Sequence, residues 1–330
     1  MEYNYRLHLF TPVHIGDGTS YTKKEYYLIT ENKDGKEITL INRVNLNQYI
    51  KSLSSEEQDK ILIEIKKEDF KLPATKDFNL YFSEKVPQNS KKEKHPTIIE
   101  STIKDIEFQP YIPGSSIKGS IKTAILYDQL KKYRVSTQKD YEKICNNYNQ
   151  LNFKISISDT STANYIKTIQ PLPITLEGEK EKAKNKDPKK SGMYNALECI
   201  PMNNNLDFNI KVENININYI KECLYYFNHD YIEHELGFYK KIGRNQEIIN
   251  EYAILKDKNT KEEPLIRIGG STGLLSTTIG LHMKNNNINL FTNLFKDKDG
   301  NPVDENFPKI RKITPDIKPF GWCRLKSLQR

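Results

Sequence analysis

Apolar and polar residues alternate from the start of the chain, where Tyr5-Arg6-Leu7-His8-Leu9-Phe10 puts every second side chain on one face and predicts a strand. Thr11-Pro12-Val13-His14-Ile15-Gly16-Asp17-Gly18 then breaks the alternation and predicts a loop. The next apolar run, Tyr26-Tyr27-Leu28-Ile29, is expected to be the strand paired with the first. From Asn45 to Ile65 the period changes to that of a helix, with Leu46, Tyr49, Ile50 and Leu53 on one side, and a second short helix is expected to begin near Ser54 or Ser55. The strongest helical pattern runs over 116–133, where Ile117, Ile121, Ala124, Ile125 and Leu130 share a face. Strands are predicted at 153–157, 193–200 and 206–212, and helices at 219–227 and 232–241. This mixture of strands and helices without a short repeat predicts an α+β fold, not a solenoid.

Two stretches fall outside any such pattern. Residues 83–104 turn polar around Pro87-Gln88-Asn89-Ser90-Lys91-Lys92-Glu93-Lys94 and read as an exposed loop. Residues 178–190 contain no large apolar side chain to offset the entropy of ordering, and read as a mobile, basic hairpin tip. Composition agrees with many polar loops around a limited core: 36% of the 330 residues are hydrophobic, 28% are charged, and the mean hydropathy is −0.72. Lys and Arg total 51 against 43 Asp and Glu, a net charge of +8, so the expected partner is an anion and nucleic acid leads the candidates. The opening Met-Glu-Tyr-Asn-Tyr-Arg lacks a basic region followed by an apolar run, and no stretch has membrane-spanning length. Cys145, Cys199, Cys223 and Cys323 are scattered and form no C-x-x-C pair, which predicts neither a zinc ribbon nor a disulfide framework. A reduced, cytoplasmic setting is expected.

Glycine is concentrated where chemistry is expected. Eight of the 15 glycines fall in three clusters: Gly16 and Gly18; Gly114 and Gly119; Gly269, Gly270, Gly273 and Gly280. Glycine lets backbone N–H groups approach a ligand closely, which suits phosphate oxygens. In the second cluster, Pro113-Gly114 stops an extended segment and Ser115 or Ser116 is expected to cap the helix that follows. Lys118 and Lys122 then share one face, and Ile117, Ile121 and Ile125 lie on another. The first-turn N–H groups and the positive end of the helix dipole complete an anion-binding start. The spacing is not that of a Walker loop, because Ser120-Ile121, not Lys-Ser or Lys-Thr, follows Gly119. The plainer alternative is a capped amphipathic helix with solvated lysines.

Tyr111-Ile112-Pro113-Gly114-Ser115-Ser116-Ile117-Lys118-Gly119-Ser120-Ile121-Lys122-Thr123 closely resembles the signature of the RAMP superfamily of CRISPR RNA-binding proteins. The opening Leu9-Phe10-Thr11-Pro12-Val13-His14-Ile15-Gly16-Asp17-Gly18, followed by Tyr21 and Glu25-Tyr26, is similar to that of the fifth-subunit family of type III-A Csm complexes. Ile155-Ser156-Ile157-Ser158-Asp159-Thr160, Arg267-Ile268-Gly269-Gly270-Ser271-Thr272-Gly273 and Pro319-Phe320-Gly321-Trp322 resemble further segments of these proteins. The resemblance implies a ferredoxin-like, RRM-related core over 1–212 with insertions near 43–104 and 177–192. Residues 213–330 would be a helical, glycine-loop part packed on that core, with a second ferredoxin-like half as one option. It implies a subunit that binds and caps the 3′ portion of the CRISPR RNA guide and contacts neighbouring Csm backbone subunits, with target RNA a further candidate partner; separately, the residues lead us to expect no cofactor and no metal. It also implies no cutting of target RNA: where the cleaving backbone subunit has an aspartate, this chain reads Tyr21-Thr22-Lys23-Lys24-Glu25-Tyr26, with Glu25 the nearest carboxylate. The residues expected to hold RNA are His14, Gly16, Gly18, Lys23, Gly114, Ser115, Ser116, Lys118, Gly119, Lys122, Gly269, Gly270, Ser271, Thr272 and Gly273.

Competing chemistry centres on His14, which beside a glycine loop could act as general acid or base in processing CRISPR RNA, with Tyr21, Lys23 and Lys24 as helpers. The plainer reading is that it packs at a strand end and lends the loop a hydrogen bond. His229 and His234, five apart, do not share a helix face as paired zinc ligands do. Asp17 and Asp159 read as loop and strand-end hydrogen-bonding groups in preference to metal or acid–base residues. Among the 20 tyrosines, Tyr111, Tyr127, Tyr133 and Tyr148 lie around the signature helix, either stacking on bases or lining the half-buried wall.

Overall fold

The computed structural model describes residues 1–67, 70–87, 96–133, 135, 137–149, 153–175, 195–243, 246–297 and 300–328. The first half runs β1 (Glu2–Leu9), β2 (Gly16–Thr22), β3 (Tyr26–Lys33), β4 (Lys36–Val44), α1 (Leu46–Ser52), α2 (Ser55–Glu64), β5 (Asn79–Lys85), β6 (Ile98–Thr102), α3 (Gly114–Lys132) and α4 (Gln138–Asn149). After these come β7 (Lys154–Ile157), β8 (Lys167–Ile169), β9 (Leu172–Thr175), β10 (Asn195–Cys199), β11 (Asn205–Glu213), α5 (Ile217–Ile242) and α6 (Gln246–Lys258). The chain closes with β12 (Leu265–Arg267), α7 (Leu274–Thr277), α8 (Gly280–Asn286), α9 (Ile288–Leu294), β13 (Ile310–Ile313) and β14 (Trp322–Ser327). The polar run 178–190 and most of 87–94 lie outside the described residues.

The alternation in β1 and β11 builds the central layer. Tyr5, Leu7 and Leu9 on β1 and Leu206, Phe208, Ile210 and Val212 on β11 are buried on one face, where α3 and α5 cover them. The strands order as β12-β14-β1-β11-β7, every pair antiparallel. Along the chain, β1, α3, β7, β11, α5 and β14 follow as strand, helix, strand, strand, helix, strand. The opposite face stays polar, with Arg6 paired to Asp207 and His8 bonded to Asn205. The C-terminal strands β12 and β14 thus complete the same sheet as β1.

α3 buries Ile117, Ile121, Ala124, Ile125 and Leu130, as its spacing predicts. α5 differs from expectation: the two predicted helices at 219–227 and 232–241 are one helix of 26 residues. Between them, Asn228 is fully buried and its amide donates to Leu224 O and Leu265 O, so the polar run Asn228-His229-Asp230 continues the helix. The helix ends where Gly243 takes the left-handed conformation.

A second sheet orders as β2-β6-β10-β8-β5-β4-β3. Here two expectations are corrected. Gly16-Asp17-Gly18 opens a strand, not a loop; β2 sits at an edge with five exposed residues in succession, so it carries no apolar alternation. The run from Tyr26 pairs with β4, not β1, through Asp34-Gly35, both at positive φ, the two-residue geometry that matches strand twist. α1 and α2 form as expected, capped by Asn45 and by a reciprocal Ser54–Glu57 box. The centre of this sheet is polar: Glu198, fully buried, accepts from the Tyr21 hydroxyl at 2.7 Å, from Lys104 Nζ at 2.6 Å and from Thr102 N at 3.1 Å. The chain crosses between the sheets four times, at 10–15 from β1 to β2, after β6 towards α3 and β7, at 158–166 from β7 to β8, and at 200–204 from β10 to β11; the first and last of these run side by side. Val13 and Ile200 tie those two together with reciprocal backbone hydrogen bonds of 2.9 and 2.8 Å.

A second buried polar group lies under α5. Glu235 is fully buried and paired with Arg311 at 2.8 Å. Its neighbour His234 is held at about 4 by burial, with Lys284 and Arg311 pushing the same way against a pull from Glu235. The unfolded imidazole takes its proton near the ordinary 6.5, so between these values the unfolded chain binds more protons and stability drops as pH falls. Urea unfolding at pH ~7 and ~4.5 is expected to show a steeper loss for the native chain than for His234→Leu; parallel losses refute it. Ile121→Ala should cost about 2–5 kcal/mol by the same measurement, since the side chain is fully buried.

Candidate nucleic-acid interface

The first and third glycine clusters meet at the ends of β1 and β12. The His14 carbonyl accepts from Gly270 N at 2.7 Å, and a Cβ on Gly269 would stand 2.3 Å from that same oxygen. Gly269 has φ +90°, so both its backbone conformation and its surroundings require glycine. The His14 ring is 4% exposed, wedged beneath Gly16 and Gly270. Its Nδ1 lies 2.7 Å from Glu198 O, and because a carbonyl only accepts, Nδ1 carries the proton. Nε2 faces Glu100 at 3.9 Å. The ring therefore shapes the junction from below, the packing role expected of a strand-end histidine.

The second cluster joins them through α3. Ser120 Oγ donates to Arg267 O at 3.1 Å, tying the helix to β12 just before the third glycine loop. Thr123 Oγ1 reaches Thr277 O at 3.5 Å on α7, beyond that loop. The start of α3 is built differently from expectation: Pro113 occupies the cap position, and neither Ser115 nor Ser116 caps. The cap comes from Asp159, whose carboxylate accepts from Gly114 N at 2.8 Å. Gly114 is needed for packing, since a Cβ would lie 2.2 Å from Ile157 O. With a carboxylate already at the helix start, the dipole there is partly neutralised, and any further anion must rely on the helix face.

That face is open. Ser115, Gly119 and Lys122 are exposed and Lys118 is half-buried, and neither lysine pairs with a carboxylate among the described residues. Gly119 has open space around its missing side chain, so nothing within the chain requires glycine there. Gly16, Gly18 and Gly273 are exposed and Gly269, Gly270 and Ser271 half-buried, while Thr272 is buried with its hydroxyl donating to Gly269 O at 2.8 Å. Asp17 accepts from Thr19 N and Oγ1 at 2.7 Å; burial pushes its carboxyl up, but these bonds, Ser101 and Lys104 hold it below the ordinary range. The structure thus brings together His14, Gly16, the start of α3 and residues 269–273. Lys23 lies apart, past the far end of β2. Glu25 is engaged by Arg43 at 2.9 Å and by Thr22 N. Of the tyrosines, Tyr127 is buried on Asp230 and Tyr133 is exposed; the Tyr148 side chain lies outside the described residues. Sequence reasoning gave Arg267 no role beyond its place in a resembling segment; its signal was its position two residues before Gly269.

The RAMP superfamily profile matches residues 6–274. A search of the curated proteins gave no match. Among solved structures, a chain of the Csm–crRNA–target RNA ternary complex of a type III-A CRISPR-Cas system, determined by cryo-EM, superposes with a TM-score of 0.69 at 19% identity. That likeness covers 99% of this chain and 100% of the other. The crystal structure of T. onnurineus Csm5 superposes with a TM-score of 0.61 at 16% identity, covering 96% and 99%. No helix among the described residues is long and apolar enough to cross a membrane.

The two glycines of α3 should respond oppositely to alanine. Gly114→Ala is expected to lose about 1–3 kcal/mol through backbone collision, and Gly119→Ala to gain about 0.5–1 kcal/mol in an open helical position. Denaturant unfolding measures both, and equal responses would contradict the geometry.

Proposed function

The chain belongs to the RAMP superfamily, and from that premise we propose that it is a non-catalytic subunit of a type III-A effector complex, holding and capping the 3′ portion of the CRISPR RNA guide. The observation that carries this reading is the convergence of three glycine segments beside two lysines that have no carboxylate partner among the described residues. Phosphates of a single strand would run along the Ser115–Lys122 face and over Gly16 and the 269–273 loop, held by backbone N–H groups, hydroxyls and Lys118 and Lys122. Lys23, set apart from this groove, would meet RNA only beyond it. The order β14-β1-β11-β7, with helices α3 and α5 on one face, is that of a ferredoxin-like core, and both 1–212 and 213–330 contribute to it. Neighbouring backbone subunits and target RNA are the further partners of this reading, and cytoplasm its setting. Catalysis finds little support in the residues first considered for it: His14 is buried and Glu25 is held by Arg43.

Lys118→Glu with Lys122→Glu should weaken guide binding and shallow its dependence on salt by roughly one unit of log–log slope. Fluorescence anisotropy across a salt series reads both, and an unchanged affinity and slope would remove the groove assignment. Incubating the protein with guide precursor, with and without divalent metal, should leave the RNA intact; cleavage abolished by His14→Ala would establish the processing enzyme instead.

A further inference from the structure

Behind the 269–273 loop lies a cavity of about 350 Å³ whose lining includes Arg267, Arg311, Ser271, Gly273 and Lys312. Arg267 and Arg311 are 3% and 6% exposed. Arg267 Nε donates to Phe320 O at 3.0 Å and its Nη1 to the Tyr231 hydroxyl. Arg311 Nε donates to both Glu235 oxygens at 2.9 and 2.8 Å, and its Nη1 to Pro308 O at 2.6 Å. Among the described residues, Nη2 of neither arginine makes a hydrogen bond. Neither Nη2 is among the enclosed atoms without a partner, so at each guanidinium one donor group stays open for a ligand.

Charge is out of balance in the same place. Two guanidiniums share the single carboxylate of Glu235, which acts on both. The surrounding tyrosines supply no anion: burial pushes Tyr231 up to about 12 and raises Tyr239 and Tyr252 as well. Lys312, exposed at the cavity, adds a further positive charge. Unpaired buried charge is costly, and a bound anion would offset it. Ser271 adds a hydroxyl that bonds to nothing among the described residues, on a backbone held at φ +62°. Non-glycine residues in that conformation are strained, and such strain gathers at ligand sites.

We propose that this cavity binds one phosphate group of a ribonucleotide chain. Resting on the RNA-holding function proposed above, it assigns Arg267, Arg311 and Lys312 to a second phosphate position, reached by the strand as it passes the 269–273 loop. The forked donors of arginine match phosphate oxygens, and the excess of one buried positive charge matches the single charge of a phosphodiester. The volume lies near the lower limit of ligand sites, roughly 300 Å³, which suits one nucleotide unit and not a folded partner.

The test uses the full chain and three probes: a labelled single-stranded oligoribonucleotide followed by anisotropy, and adenosine monophosphate and inorganic phosphate followed by thermal shift. Arg267→Gln should weaken RNA binding by about 10- to 100-fold and abolish the rise in melting temperature that phosphate gives the native chain. Lys312→Glu, an exposed position that leaves the core intact, should weaken RNA binding about threefold or more, and it decides the matter if Arg267→Gln does not fold. Native RNA affinity in both variants, with Lys118→Glu and Lys122→Glu still weakening it, overturns the cavity assignment and leaves the proposed function standing. Phosphate and adenosine monophosphate protection lost in the variants, with RNA affinity unchanged, overturns RNA as the source and makes this a mononucleotide site. No RNA binding by the native chain removes the proposed function and the RNA assignment together.

Discussion

Backbone meets backbone at three places with no room for a side chain. Gly114 lies against Ile157 O, Gly269 against His14 O and Gly321 against Ile268 O, each so near that a Cβ would sit within 2.3 Å of the oxygen. These contacts lock the start of α3 to the end of β7, and the ends of β1 and β12 to the start of β14. Further bonds close the same junction: Gly321 N to Pro12 O, Ile268 N to Gly321 O and Trp322 N to Thr11 Oγ1. Segments from both ends of the sequence thus converge at one end of the sheet. Any surface built there inherits the rigidity of a core.

Charge is then distributed in two ways around that junction. Inside the second sheet, Glu198 is fully matched by Lys104, Tyr21 and the Thr102 amide, and such a satisfied network fixes geometry without offering a site. On α3, by contrast, Lys118 and Lys122 stand without carboxylates among the described residues, and beneath the 269–273 loop two guanidiniums share one acid. The excess of positive charge seen in the composition is therefore not spread evenly; part of it is held uncompensated beside the glycine loops. Compensated charge belongs to the fold, and uncompensated charge is what an anion can use.

Elements governed by local pattern were legible in the sequence. The apolar stripe of α3, the strand at β11 and the starts of α1 and α2 each depend on neighbours a few residues away. What escaped depends on distant partners. The cap of α3 comes from Asp159, 45 residues on, so Ser115 and Ser116 looked like the natural candidates. In the polar middle of α5, the Asn228 amide donates to Leu265 O across the core. β2 is an exposed edge whose glycines, serine and threonine read as a loop. Asp34-Gly35 did announce the β3–β4 hairpin, and weighting that turn above apolar runs would have corrected the pairing. At the candidate interface, glycine clustering identified the segments that meet, but not that Gly114 and Gly269 serve packing while Gly119 faces open space. Arg267 and Arg311 were invisible as a pair, being 44 residues apart and joined only by the fold.

The reciprocal bonds between Val13 and Ile200 have a mechanical side. A domain attached by one strand can swivel about it; here four crossings carry the chain between the sheets, and two of them run antiparallel and are stitched to each other midway. Twisting one sheet against the other would shear that stitch, and His14 sits one residue from it. The carbonyl of His14 holds Gly270 N, so the stitch between the sheets and the anchor of the glycine loop occupy adjacent residues of one segment of backbone.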